Sequence, residues 1–478
     1  MRRIARRRSV GACLAVLAVG LLASGCDWAQ FAGGYSHTGA GSGEVFITPA
    51  NVSTLTSKFT TVPLSQISGD FLGGQVAIAN GVIYAVGADG DLYAYDASGS
   101  DNCSNTPTTC APLWTASLGG QSGLNDTTPA VAYGFVYVTS DSASGPNTIY
   151  AFDAAGKTDC SGSPTVCSPM WTASVDSGQA QNLTVHDEKL YAAGGGSMEV
   201  FDANGEVDCS GTPKTCSPMW STTDIGAGSA SVTLSNSNIA YVLGATAIYA
   251  FDGEGHTNCS GTPAVCSPLR SYPTQYPAAI PVVSGSTLYV DTFAISGTAA
   301  NPTLDGGLEA FDATGSTNCS GTPAVCTPLW QSSAAYASQQ PAAVANGDVY
   351  VPSSAGPIAA FSADGSTNCS GAPTICSPLW TTSVGGGWSP ITIGGSVLYD
   401  TVSGHDVYAF DATGVNGCTL AVCTPLWTLA NLATPPSTTL PGLGATIANG
   451  TLYVSGFTVV QTGDQIFDSG LVDAFGLP

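Results

Sequence analysis

Leu308-Glu-Ala-Phe-Asp-Ala-Thr-Gly-Ser-Thr-Asn-Cys-Ser-Gly-Thr-Pro-Ala-Val-Cys-Thr-Pro-Leu-Trp330 contains the pattern that decides the fold. An alternating run ends in an aromatic residue and an aspartate, a Thr-Gly turn follows, and a cysteine-bounded hairpin leads into a Pro-Leu-Trp strand. The aromatic landmark recurs at Tyr95, Phe152, Phe201, Phe251, Phe311, Phe361, Phe410 and Phe475, so the chain holds eight units. Successive first cysteines lie 57, 49, 50, 60, 50 and 49 residues apart, and a period near 50 marks a repeat architecture.

Outside this core each unit carries short apolar runs with period-two alternation and β-branched or aromatic residues, bounded by turn signals such as Asn80-Gly81, Asn346-Gly347 and Asn449-Gly450. That reads as four strands per unit and no helix. A four-stranded sheet cannot bury both faces alone, whereas eight stacked radially cover one another. The expectation is an all-β, eight-bladed β-propeller of four-stranded antiparallel blades over residues 55–478. The eighth landmark has no Trp strand after it, so Leu55 to Val62 is expected to pair with Val472 to Phe475 and close the ring. Trp114, Trp171, Trp220, Trp330, Trp380 and Trp427, with Arg270 at the equivalent place, read as wedges between blades.

Setting aside Cys13 and Cys26, the cysteines form seven local pairs: Cys103 with Cys110, Cys160 with Cys167, Cys209 with Cys216, Cys259 with Cys266, Cys319 with Cys326, Cys369 with Cys376, and Cys418 with Cys423. Even number and repeated spacing predict disulfides in an oxidising compartment, each clipping an exposed loop. Zinc is disfavoured because the spacing is too wide and only four histidines are present, none clustered, so no metal is expected.

The N-terminus agrees with export. Arg2, Arg3, Arg6, Arg7 and Arg8 precede an apolar stretch from Val10 to Leu22, too short to span a bilayer. Leu22-Ala23-Ser24-Gly25-Cys26 resembles a bacterial lipobox, which implies a signal peptide over 1–25, lipidation of Cys26 and an anchor-and-linker segment over 26–54. Without the signal, five basic residues face 33 acidic ones, a net charge of about −28. Nucleic acid is thereby disfavoured as a partner, and the membrane is expected to be met only through the lipid.

Leu92-Tyr-Ala-Tyr-Asp96, Ile149-Tyr-Ala-Phe-Asp153, Val407-Tyr-Ala-Phe-Asp-Ala-Thr-Gly414 and the N-terminal Trp28-Ala-Gln-Phe31 with His37-Thr-Gly39 resemble the PQQ-like (quinoprotein-like) propeller repeat. The resemblance implies eight blades. It also brings two functional classes: quinone-dependent alcohol dehydrogenases, and lipoproteins and scaffolds that bind no quinone. Those dehydrogenases use adjacent cysteines, calcium-binding carboxylates and a catalytic aspartate. Here no two cysteines adjoin, and the aspartates Asp96, Asp153, Asp202, Asp252, Asp312 and Asp411 are repeat features that cap turns.

No nucleophile with a base, nucleotide loop or zinc-hydrolase motif is present, and His186-Asp-Glu-Lys189 reads as a solvated turn. Long insertions at Asp141 to Pro146, Ser296 to Gly307 and Gln461 to Gly470 fall on the face opposite the Asn-Gly turns. The same face is expected to carry Phe71, Asn125, Asp126, Gln181, Tyr276, Gln339, Gln340 and Trp388, suited to a neutral polar ligand. The favoured function is a monomeric, non-catalytic cell-envelope lipoprotein without cofactor, a binding or scaffold platform for a protein or glycan. The alternative is a PQQ-dependent oxidoreductase requiring PQQ and calcium, and a third reading is a purely structural surface protein.

Overall fold

The computed structural model describes residues 27–478 outside 42, 63–74, 88, 120–126, 141–146, 176–181, 195, 227–230, 299–300, 334–335, 337, 339, 354–355, 386–388, 403–405, 430–436 and 463–464. Eight sheets, blades 1 to 8 in chain order, stand around one axis. Their innermost strands are Ala77–Ala79, Ala130–Ala132, Thr184–His186, Val232–Leu234, Val282–Ser284, Ala343–Ala345, Thr392–Gly394 and Ser437–Ala448. Each touches the next and the eighth touches the first, so the ring is closed. The hairpins behind them turn on residues that tolerate positive φ: Asn80 and Gly81 sit at 53° and 78°, Asn346 and Gly347 at 55° and 88°.

Thr56–Thr61 is the fourth strand of blade 8, as the sequence predicts. Thr56 lies opposite Gly476, Ser57 opposite Phe475 and Phe59 opposite Ala474, with a register shift between Ser57 and Phe59. First and last segments therefore share one sheet, and fraying at either terminus must break the same ladder.

The tryptophans do wedge between the blades. Trp114, Trp171, Trp220, Trp330 and Trp380 each lie over the turn glycine of the following blade: a Cβ on Gly156 would meet Trp114 Cδ1 at 2.2 Å, and one on Gly365 would meet Trp330 Cδ1 at 2.3 Å. Trp427 meets Phe475 of blade 8 edge-on at 5.7 Å. Phe59 fills the wedge position against Gly99, and Arg270 against Gly315. Burying a ring of roughly 150–250 Å² removes on the order of 4–6 kcal/mol of apolar hydration cost per junction. A second series crosses the same junctions. The hydroxyls of Tyr84, Tyr137, Tyr191, Tyr241, Tyr289, Tyr350 and Tyr453 donate to the carbonyls of Ala154, Ala203, Gly253, Ala313, Ala363, Ala412 and Ala97, at 2.8–3.0 Å.

The repeated aspartates hold the turns under these wedges. Asp312 accepts from Thr314 N at 2.8 Å, Ser316 N at 2.9 Å and Thr317 N at 2.6 Å. Burial pushes its pKa up, but those donors outweigh burial and hold it below the usual carboxylate range. The same balance holds Asp96, Asp153, Asp252 and Asp411 low.

Three expectations are corrected. All seven cysteine pairs are disulfides, but their hairpins do not stay with their own blades. Each reaches back and pairs in parallel with the fourth strand of the preceding blade, as where Cys319–Ser320 and Ala324–Cys326 of blade 5 extend Arg270–Pro273 of blade 4. Seven sheets thus have six strands, and blade 7 has five. The cause is the open outer edge of a four-stranded blade, whose free N–H and C=O groups a lengthened hairpin can satisfy.

Nor are the disulfides confined to exposed loops. The second cysteine of each pair, namely Cys110, Cys167, Cys216, Cys266, Cys326, Cys376 and Cys423, is buried in the apolar cluster at a blade junction. The parallel pairing lays its strand against the preceding blade, so its sulfur turns inward while the hairpin tip stays in water. The insertions at Ser296 to Gly307 and Gln461 to Gly470 are strands rather than loops: Thr287–Thr298 pairs with Asn301–Asp312 out to Thr298 and Asn301, and Thr451–Thr462 with Gln465–Gly476 out to Thr462 and Gln465. Continuing the ladder satisfies backbone groups that a loop would leave to water. Asp141 to Pro146 lies outside the described residues.

Candidate functional site

The second residue of a three-residue innermost strand can offer its backbone to the axis. In this protein the N-terminal segment takes up that offer in six blades, and meets blade 4 at the third residue of its strand and blade 8 beyond its strand. Trp28 exchanges two 2.8 Å bonds with Ile78 of blade 1, Ala29 accepts from Val131 of blade 2, and the Gln30 amide bonds both ways to Val185 of blade 3. Tyr35, Ser36, Thr38 and Gly39 then accept from Leu234, Val283, Val344 and Ile393 of blades 4 to 7. Glu44 Oε2 accepts from Gly450 N of blade 8 at 2.8 Å. Residues 28–44, expected within a linker, thus make hydrogen bonds to all eight blades across the turn-bearing face.

The wall behind this segment is neutral and polar. Thr184, Thr233, Thr392 and Thr446 donate to the carbonyls of Val232, Pro281, Ala445 and Val76 in the next blade, three of them at 2.6 Å. His37 is fully buried with Nδ1 2.9 Å from Thr233 Oγ1 and Nε2 3.4 Å from Thr184 Oγ1, and its ring meets Phe31 edge-on. Burial pulls its pKa down to about 3, so the imidazole is neutral. Gln75 accepts from Ala32 N at 3.0 Å and donates to Ala445 O at 3.0 Å, tying the segment to blade 8.

Beside the segment a cleft of about 480 Å³ opens, lined by Glu44, Ile47, Thr48, Asn346 and Ser396. Farther round, His186 stacks on Tyr35 at 4.0 Å, and Lys189 pairs with Glu254 at 2.7 Å. Neither place sets a nucleophile beside a base.

Of the residues expected on the opposite face, Tyr276 and Gln340 are described. Tyr276 is half-buried, its carbonyl accepting from Thr274 Oγ1 at 2.8 Å and its hydroxyl from Gln275 Nε2 at 3.3 Å; Gln340 N donates to Ser338 Oγ at 3.0 Å. These contacts are local, one in the connection before blade 5 and one before blade 6. Phe71, Asn125, Asp126, Gln181, Gln339 and Trp388 lie outside the described residues, as do Cys26 and the signal segment. Sequence reasoning missed the axial roles of Gln30, His37 and Gln75 and the junction tyrosines. The tyrosines had a visible signal: one follows an apolar residue at the same place in every unit, from Ile83-Tyr84 to Leu452-Tyr453.

A quinone with calcium requires six to eight oxygen ligands, carboxylates among them, around the cation. Among the described residues no three His, Cys, Asp or Glu side chains gather, the axial threonines already donate to carbonyls, and every described cysteine is in a disulfide. The described residues therefore do not supply the ligand set of that group. Seven disulfides fit an oxidising compartment, and so an exported protein. No helix among the described residues is long and apolar enough to cross a membrane.

No family model matches the sequence, and no curated relative does. Solved structures do. BamB from Moraxella catarrhalis is 14% identical with a TM-score of 0.52, over 89% of this chain and 98% of that one. A quinohemoprotein alcohol dehydrogenase from Comamonas testosteroni is 14% identical with a TM-score of 0.54, over 95% of this chain and 81% of that one. A europium-containing methanol dehydrogenase is 12% identical with a TM-score of 0.51, over 95% and 99%. At such identities likeness speaks for the fold alone, and together with the eight closed blades it shows an eight-bladed β-propeller similar in fold to BamB and to these dehydrogenases.

Proposed function

We propose that the protein is a non-catalytic, monomeric cell-envelope lipoprotein, anchored through Cys26, whose propeller is a binding platform for a protein or glycan partner. The observation that carries this reading is the asymmetry of the two faces. One is occupied at the axis by the chain's own residues 28–44; the other bears paired strand extensions from blades 5 and 8. Exposed strand edges offer unpaired N–H and C=O groups to an extended segment of a partner. The likeness to BamB and to two named dehydrogenases is compatible with a platform and with a quinoprotein; the axial residues favour the platform.

The test combines crosslinking in intact envelopes, followed by purified-partner titration, with a glycan array. The expected result is one saturable partner whose binding is lost when residues 296–303 and 458–467 are replaced by short turns. Dye reduction that depends on added PQQ and calcium, with no saturable protein or glycan, would overturn the proposal.

A further inference from the structure

We propose that the lipid on Cys26 holds the turn-bearing face flush against the bilayer, so that the strand extensions of blades 5 and 8 point away from the membrane. This orientation rests on the lipidation proposed above and adds to it.

The argument begins at Trp28. Its side chain is fully buried, and its N–H and C=O both bond Ile78 at 2.8 Å in an antiparallel bridge. The chain before Trp28 therefore runs in the direction in which Ile78 leads to the Asn80-Gly81 turn. Asp27 follows that course, its carboxylate accepting from Asn80 N at 3.3 Å. Cys26 stands two residues from a fixed backbone position, a reach of at most about 7 Å. A bilayer's headgroup layer is roughly 5–8 Å deep on each side. With acyl chains in the hydrocarbon and the thioether at its edge, the tether is used up within the headgroups, and the turns around it must meet them.

The surroundings of the exit suit that contact. Tyr133, in the adjoining turn of blade 2, is 47% exposed, and Phe46 and Val45, packed by blades 7 and 8, are 39% and 52% exposed. Tyrosine and phenylalanine at this height place an apolar body among headgroup carbons. Acidic groups stand on the same face, with Asp187, Glu188 and Glu254 at blades 3 and 4, and the Tyr133 hydroxyl accepts from Glu188 N at 2.9 Å. On an anionic leaflet these carboxylates oppose contact, so the face suits a zwitterionic lipid surface.

The segment also returns to this face rather than passing through. Ala40–Gly41 pairs in parallel with Thr392–Gly394 of blade 7 and leaves beside the Gly395 turn. Both ends of the axial segment thus open on one side. The two extensions continue the ring's strands on the other side by about six residues, roughly 20 Å.

The test is amide hydrogen exchange on the full lipidated chain in phosphatidylcholine vesicles, compared with Cys26→Ser in solution. Mass spectrometry first establishes the acyl modification on Cys26. The expected result is exchange slowed about tenfold or more at Gly81, Gly134 and Gly450, with no change at the extension tips near 298–303. A 20-residue Gly/Ser spacer inserted after Asp27 keeps the lipid and abolishes that protection. Lipidated protein protected equally on both faces, or on neither, overturns the orientation while leaving the lipoprotein reading intact. An unmodified Cys26 overturns both.

Discussion

The Tyr350 hydroxyl reaches from blade 6 and donates to the Ala412 carbonyl of blade 7 at 2.8 Å; in blade 7 itself the equivalent hydroxyl, on Tyr399, is buried without a hydrogen-bond partner among the described residues. The junction between blades 7 and 8 also has no cysteine hairpin, because blade 8 ends without one. What fills it is the N-terminal segment: Ile47, Val52 and Leu55 share one apolar cluster with Val397 and Tyr399 of blade 7 and Ile447 and Leu452 of blade 8.

The two tyrosines should therefore respond oppositely to loss of their hydroxyls. Tyr350→Phe strands a buried carbonyl and is expected to cost about 1–2 kcal/mol in urea unfolding. Tyr399→Phe removes an unsatisfied buried hydroxyl and is expected to be neutral or stabilising. A comparable loss at both positions would show that the hydrogen bond is not what Tyr350 contributes.

The wedge arrangement separates two glycines of similar φ. Gly365, at φ +65°, lies under Trp330, while Gly347, at φ +88°, has nothing within 4 Å of where its Cβ would stand. Gly347→Ala carries only the left-handed backbone penalty, about 1 kcal/mol. Gly365→Ala adds overpacking and is expected to lose about 2–4 kcal/mol, with a red-shifted tryptophan emission. Equal thermal midpoints for the two variants would contradict the packing described.

Disulfide loss should be felt in a different blade from the one that carries it. Replacing Cys319 and Cys326 by serine removes about 2–3 kcal/mol by the chain-entropy estimate for a loop of this size. Because that hairpin lies against Arg270–Pro273, faster amide exchange is expected at 270–273 of blade 4. Faster exchange confined to blade 5 would argue against the strap.

His37 makes the protein acid-sensitive. Its folded pKa, near 3, lies below the usual 6.5, so between these values the unfolded chain binds more protons and stability falls as pH drops. His37→Gln is expected to flatten the stability profile from pH 6.5 to 4, a difference on the order of a few kcal/mol. Glu309 acts with opposite sign: burial raises it to about 7, so its penalty is relieved as pH falls from 7 towards its ordinary value of 4.5. Parallel wild-type and His37→Gln profiles would remove the histidine from this account.

Periodicity in the chain determined the number of blades, the four strands at the heart of each, the pairing of cysteines within each hairpin, and the joining of the first strand to the last, since each rests on local alternation, turn chemistry or a repeated spacing. Tertiary structure alone decided which neighbour each hairpin straps, that Thr287–Thr298 and Thr451–Thr462 extend as strands, and that Trp28, Gln30, His37 and Glu44 lie across the axis. Those three facts depend on which strand edges and carbonyls the folded blades leave open, which local sequence does not show. No residue in the sequence of Trp28 to Glu44 announces a partner, because its partners are mostly backbone groups spread over more than 300 residues of chain and brought together by the ring.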